Sequence, residues 1–401
     1  MPKHGYPVNY WLSTYLIPAK EGLEPFLNRV EAGDTEGAWR FIRELESDEM
    51  DRALMTSLML QGCGDITGAV KTLEPFCDSN NFYINHTLLK LYISLSNLEG
   101  ARDVLRRLRA ENDEMRAIIS NDEGIILWRE GRNDEARDRY VRALEMADNC
   151  RNIFIKRMCM NNLAIIMQIS GDYKGAINLY TRSSALAEDG GDLEGIMTAK
   201  LNLGELYKEA GDLNMAKQSL LSAIDVSMTF DSYVSSSARC DCYVNLGDIY
   251  LLGKDYSEAK DFYQRALDER FMEDLEAARA HMGMARIAMD ENRFEESLEL
   301  LDMAYEFSKR SRSMRYEAET YLLRGKIREL QGKLQEALQG YGVAIFLFRK
   351  LGNVYEVART EEAVGKLCLK LGDGERSEMH LERARTTFLS ISLEDGRSDK
   401  N

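Results

Sequence analysis

The chain has 401 residues, 44% of them hydrophobic, with 52 basic and 67 acidic side chains and a formal net charge of −15. That is enough apolar content for a substantial core, and the charge argues against a general nucleic-acid or anionic-membrane binder, since both require positive potential. No run approaches membrane-spanning length, and the seven cysteines lack metal-ligand spacing and fit reduced thiols in a cytoplasmic protein.

In chain order, residues 1–19 carry Tyr6, Tyr10, Trp11 and Tyr15 and are expected to form an N-terminal cap segment. The apolar stretch from Val8 to Ile17 is short, broken by Asn9, Ser13 and Thr14, and followed by Pro18 without a cleavage signal, so no secretory leader is expected. All five prolines (Pro2, Pro7, Pro18, Pro25 and Pro75) precede residue 76. Beyond it the residue usage is helix-forming and period-two alternation is rare, which predicts an all-α chain.

A short phrase recurs from there on. Gly33 opens "GDTEGA", Gly64 "GDITGA", Gly131 "GRNDEA", Gly171 "GDYKGA", Gly211 "GDLNMA" and Gly332 "GKLQEA", with weaker copies from Asn97, Lys254, Asn292 and Gly372. The closing small residues are Ala38, Ala69, Ala101, Ala136, Ala176, Ala216, Ala259, Ser297, Ala337 and Ser377, spaced by 31 to 43 residues. The phrase encodes a helix-turn-helix: Gly ends one helix in the left-handed conformation, and Asp caps the next by accepting from its free amides. Twelve residues earlier lies a second small column, Gly124, Ala164, Gly204, Gly247, Ala285, Gly325 and Gly365. Seven residues later lies a third, Ala143, Ser183, Ala223, Ala266, Ala304, Ala344 and Ala384. A bulky column, Tyr140, Tyr180, Leu220, Tyr263, Leu301, Tyr341 and Leu381, falls between them, as paired antiparallel helices in close contact require.

The motif Leu-Gly-x-x-Tyr followed by Ala-x-x-x-aromatic is present as Leu246-Gly247, Tyr250, Ala259 and Tyr263, and in part as Leu203-Gly204, Tyr207 and Ala216. The chain therefore resembles a tetratricopeptide-repeat (TPR) protein. Seven regular repeats span 118–389, and three shorter, divergent ones span 20–117, where Phe26, Ser57 and Leu89 replace the first small column. Most later repeats are 40 residues long, similar to those of kinesin light chains and of the Rap family of peptide-sensing regulators. The resemblance implies a right-handed α-solenoid of about ten helical hairpins. Residues 390–401 are polar and expected to be a disordered tail. Glu123, Arg324 and Arg328 depart from the pattern, standing where Leu or Tyr usually packs.

In TPR proteins the first helix of each repeat lines a concave groove, with positions two, five, six, nine and twelve to thirteen facing inward. With the small Ala or Ser at position twenty, position six reads Asp122, Asn162, Asn202, Asn245, Gly283, Leu323 and Ala363. The three successive Asn residues form a candidate ladder, because an amide both donates to and accepts from a peptide backbone. Asn161 adds an inward amide at position five. Position nine runs Ile125, Ile165, Glu205, Asp248, Arg286, Lys326 and Lys366, from apolar through acidic to basic, and Arg279 and Arg359 lie at position two, with Glu319 between them. The basic stretch is expected to receive acidic groups of a partner; the competing reading pairs Lys326 with Glu329 and Arg286 with Asp290 within their own helices.

His4, His86, His281 and His380 have no nucleophile or carboxylate at a motif spacing, and Gly190-Gly191 reads as an inter-repeat turn. No catalytic residue, metal site or cofactor is nominated. The expected function is that of a scaffold or adaptor holding an extended protein or peptide segment. The alternative is a peptide-responsive cytosolic regulator with residues 1–117 as its output module.

Overall fold

The structure is a computed structural model. It describes residues 26, 29, 34–44, 49–62, 65–149, 153–230, 233–270 and 272–398, so the expected cap over 1–19 lies outside the described residues. Among these residues the regular structure is nineteen α-helices and one 3-10 turn, with no strand. They are α1 (Thr35–Glu44), α2 (Glu49–Gly62), α3 (Ile66–Leu73), α4 (Phe82–Ser94), α5 (Leu98–Arg107), α6 (Asp113–Arg129) and α7 (Asn133–Asn149). Next come α8 (Ile153–Ile169), α9 (Tyr173–Gly190), α10 (Leu193–Glu209), α11 (Leu213–Ser227), α12 (Tyr233–Leu252) and α13 (Tyr256–Asp268). The last six are α14 (Asp274–Asp290), α15 (Phe294–Arg310), α16 (Met314–Leu330), α17 (Leu334–Lys350), α18 (Val354–Lys370) and α19 (Gly374–Ser398). They pair as consecutive hairpins, α2 with α3 through α18 with α19, giving an all-α solenoid of stacked helical pairs.

Local sequence accounts for each hairpin. In α7, Ala136, Tyr140, Ala143 and Ala147 recur at helical spacing, and they are the buried residues of that helix. Asp172 and Asp212 accept from the Gly175 and Met215 amides at 2.9 and 3.1 Å, as the repeated phrase predicts. Gly171 and Gly211 end the preceding helices at φ 81° and 82°; where the phrase lacks glycine, Lys254 and Asn292 adopt φ 60° instead. The bulky column fills the space left by the first small one. A Cβ added to Gly124, Gly247 or Gly325 would lie within 2.7 Å of the ring of Tyr140, Tyr263 or Tyr341. The residues that depart from the TPR pattern stay packed because neighbouring helices answer their charge. Glu123 pairs with Arg139 at 3.2 Å and Arg328 with Glu336 at 3.0 Å, while Arg324 sits over Tyr305 and Tyr321 and bonds Asp302.

The chain divides into two compact units, Met1–Arg239 and Cys240–Asn401, with the division inside α12. In the first unit, one hydrophobic core runs from Ala53 to Cys159 through Leu108, Ala117 and Ile118, so the short hairpins share a core with the first regular repeats. The short hairpins have abbreviated second helices, 8 residues in α3 and 10 in α5 against 17 in α7. In the second unit, α19 continues to Ser398, because no proline or glycine interrupts it before Gly396; it thus enters the stretch whose composition favours a disordered tail.

A buried charge cluster joins α4 to α6. Asp122 is fully buried, with Lys90 Nζ at 2.5 Å from one carboxylate oxygen and His86 Nε2 at 2.8 Å from the other. Burial alone pushes the Asp122 carboxyl up, but Lys90 and then His86 outweigh it and hold the group below its ordinary 3.8. An acid held low in the folded state stabilises above its unfolded pKa, and that contribution is lost as pH falls through the folded one.

Two outcomes follow from this packing. Gly247→Val, which drives side-chain atoms into the Tyr263 ring, should lower unfolding stability by about 1–3 kcal/mol in a urea titration. Asp122→Asn should cost about 3–5 kcal/mol at neutral pH by leaving the buried Lys90 ammonium without its carboxylate. It should also flatten the fall in urea midpoint of the wild type below about pH 4, the ordinary aspartate range.

Candidate peptide-binding faces

The first helices of the first unit bring the inward amides to different ends. Asn121 on α6 is fully buried, and its side-chain oxygen accepts from Asn162 Nδ2 on α8 at 2.8 Å. Asn162 is therefore tied to the preceding repeat through one amide hydrogen and stays half-buried. The neighbouring Asn161 has its Oδ1 buried without a hydrogen-bond partner among the described residues. Asn202 on α10 is half-buried, and its amide makes no hydrogen bond among them. Ile125 and Ile165, at position nine, are half-buried against the core. The first unit thus presents uncommitted amide groups beside apolar side chains, a combination able to bond a peptide backbone while covering an apolar side chain.

In the second unit Asn245, Asp248 and Arg279 do come together, but on one another. Asn245 is buried; its Nδ2 donates to the Asp241 carbonyl at 2.9 Å and its Oδ1 accepts from Arg279 Nη2 at 3.2 Å. Arg279, reaching back from α14 to α12, also contacts Asp241 Oδ1 at 3.2 Å and Asp248 Oδ2 at 3.6 Å. The Tyr263 hydroxyl donates to Asp248 Oδ1 at 2.8 Å, and burial followed by this carboxylate pushes the phenol pKa up. The same phenol takes the space at Gly283, where a Cβ would lie 2.4 Å from its oxygen. The ladder of three equivalent Asn rungs expected from the sequence is corrected here: the third rung is an internal brace between α12 and α14. Arg279 is likewise a structural cation.

The remaining cations differ from one another. Arg286 pairs with Glu319 of the next repeat at 3.3 Å, not with Asp290, and Glu319 also holds Arg315 at 3.2 Å. Lys326 on α16 is exposed and makes no direct ion-pair contact among the described residues; Glu329 bonds Lys370 at 2.6 Å and Tyr341 at 2.8 Å. Although burial pushes the Glu329 carboxyl up, these partners and the nearby Lys326 charge hold it below its ordinary range. Arg359 and Lys366 on α18 are exposed and contact only acids of their own helix, Glu356 at 3.1 Å and Glu362 at 2.5 Å. Exposed same-helix pairs of this kind contribute little, so both cations remain available to a ligand.

Sequence reasoning missed the partners of Asp122 and the brace on Asn245. His86 and Lys90 lie at positions five and nine of their own repeat, a signal obscured because Leu89 replaces the small residue that sets the register there. Among the described residues no group of three or more His, Cys, Asp or Glu side chains is placed to hold a metal ion. None of the helices described is long and apolar enough to cross a membrane.

Two tetratricopeptide-repeat family models match this chain, one over residues 86–149 and 244–313 and the other over 156–228. No curated protein matches it. Among solved structures it is similar to the apo form of the quorum sensor NprR from B. thuringiensis, at 16% identity and a TM-score of 0.60, covering 91% of this chain and 97% of that one. A Rap protein complexed with competence and sporulation factor gives 14% identity and a TM-score of 0.58, covering 90% and 98%. NprR in complex with its cognate peptide NprX gives 16% identity and a TM-score of 0.55, covering 95% and 99%. At these identities the likeness is one of fold. With the two repeat models together matching just over half of the chain, and with glycine-terminated, Asp-capped hairpins closed by small-on-large packing, the chain belongs to the tetratricopeptide-repeat proteins.

Proposed function

We propose that this TPR protein binds an extended peptide on the inward faces of its first helices, as a scaffold or adaptor without catalytic chemistry. The observation that carries this reading is the half-buried Asn202 on α10, whose amide makes no hydrogen bond among the described residues, together with the half-buried Asn162 one repeat earlier. A buried polar atom without a partner costs about 1–3 kcal/mol. A peptide backbone supplies both the donor and the acceptor that the Asn202 amide lacks, and the residual acceptor of Asn162 extends the set. Two of the similar structures contain a peptide or a named factor, NprX in one and competence and sporulation factor in the other, which supports the same class of ligand.

The second reading, a peptide-responsive regulator, is favoured by the extent of the fold likeness. The overlays with NprR and the Rap protein cover nine-tenths or more of this chain, so they extend well into the divergent short hairpins. Under this reading ligand binding would change the conformation of the chain, whereas a scaffold would keep its shape. Small-angle scattering with and without a bound peptide separates them: compaction selects the regulator, an unchanged profile the scaffold.

The binding reading is tested by selecting a random short-peptide library against the immobilised full chain. Asn202→Ala should weaken a selected peptide by roughly three- to tenfold, one or two hydrogen bonds' worth, with no change in melting temperature. Asn245→Ala should instead lower the melting temperature, because its amide braces α12 to α14. Selection of no peptide, or unchanged affinity for Asn202→Ala, contradicts the proposal.

A further inference from the structure

The outward side of α17 departs from that of the other regular second helices. Six residues after the small Ala or Ser, those helices carry Arg142, Arg182, Ser222, Arg265, Met303 and Arg383, where α17 carries Val343. Nine residues after it they carry Glu145, Ala185, Asp225, Asp268, Glu306 and Thr386, where α17 carries Phe346. All of these side chains except Ser222 are exposed. The first column favours arginine and the second favours acids, as a solvated face requires; α17 alone is apolar at both. Val343 is 39% exposed and Phe346 65%, the most exposed aromatic side chain among the described residues.

One turn before Phe346, on the same face, lies Gly342. Glycine inside a helix is destabilising relative to an ordinary residue, so its presence calls for a steric reason. For Gly340 that reason is internal, since a Cβ there would lie 3.0 Å from the Gly325 backbone of α16. Gly342 is exposed, and a Cβ there would meet nothing within 4 Å. The hairpin does not require it. A bare backbone at this point permits close approach from outside the chain. The protruding Phe346 ring and the bare Gly342 backbone thus form a knob and a notch on one face. The same helix carries an acid, Glu336, in its first turn and two cations, Arg349 and Lys350, in its last.

We propose that α17 is a self-association face: two copies of this chain cross α17 on α17 about a two-fold axis, with the Phe346 ring of each over Gly342 of the other and Val343 beside it. A two-fold interface must be complementary to itself, and an antiparallel crossing of this helix is. It turns each knob toward a notch and each acidic first turn toward a basic last turn. There Lys350, exposed and without an ion-pair partner among the described residues, comes near Glu336, which holds Arg328 at 3.0 Å but keeps about half its side chain exposed. A parallel crossing would set ring on ring and like charge on like charge. Contact is confined to one helix per copy, so the pair is weak, with a Kd in the micromolar range. Each copy carries a net charge of −15, so the apolar contact works against long-range repulsion and strengthens as salt rises. The surface lies on a second helix and is independent of the peptide-binding reading.

Sedimentation equilibrium of the full chain tests this over about 1–300 µM, a range that brackets a weak interface. The variants are Phe346→Glu, which gives α17 the residue type that α7 and α15 hold at that position, and Gly342→Leu, which fills the notch. The wild type should follow a monomer–dimer equilibrium that goes no further and tightens with added salt. Association should weaken roughly thirtyfold in Phe346→Glu and roughly tenfold in Gly342→Leu. In dilute solution Gly342→Leu should melt higher than the wild type, because a helix former replaces glycine at an open position, so its loss of dimer is not unfolding. A wild type that stays monomeric throughout overturns the inference. So does a dimer unchanged in either variant, a dimer that weakens with salt, or assembly beyond two copies.

Discussion

The close approach of the two helices in each hairpin is the constraint from which the other features follow. A tyrosine ring or a leucine side chain can lie against the partner backbone only where the facing residue is glycine or alanine, as at Gly124, Gly247 and Gly325 for tyrosine and Gly204 for leucine. This locks the rotation of both helices about their axes. Once the buried side of the first helix is fixed, so is its inward side, and positions two, five, six and nine recur along each unit with little freedom. The glycine turns and Asp caps set where each helix begins and ends, so the register is passed from one hairpin to the next.

On that register, side chains of successive repeats meet, and most of what they do is hold repeats together. Asp122 anchors the short hairpins to the regular ones through Lys90 and His86, Asn121 accepts from Asn162, and Arg279 braces α12 to α14. Residues with no such duty are fewer, and they are the ones a ligand can use. The distinction is physical: Asn245 and Asn202 hold the same repeat position, yet one is buried between two bonded neighbours and the other is half-exposed with its amide uncommitted.

Much of the fold was legible because its signals are local. Glycine followed by a capping Asp, a small residue five positions on, and a bulky residue four further are all contained in one hairpin. The all-α class, the repeat borders and the small columns could be read directly from them. The candidate site was legible only in outline. Whether Asn245 faces a ligand depends on Arg279, 34 residues away, and whether Arg286 is available depends on Glu319, 33 residues away. The pairing across repeats is a property of stacking, which no single hairpin encodes. Glu319, which seemed to interrupt a basic series, is the partner that neutralises it. The short hairpins hid their register for a related reason: Leu89 fills the column that elsewhere announces it.

The central claim is that the inward faces of the first helices are the ligand surface. It is tested most directly by cross-linking a library-selected peptide that carries a photoreactive residue to the full chain and mapping the adducts. The account predicts adducts on first helices, at or beside Asn162 and Asn202. Adducts confined to the second helices, such as α9, α11 and α17, would contradict it.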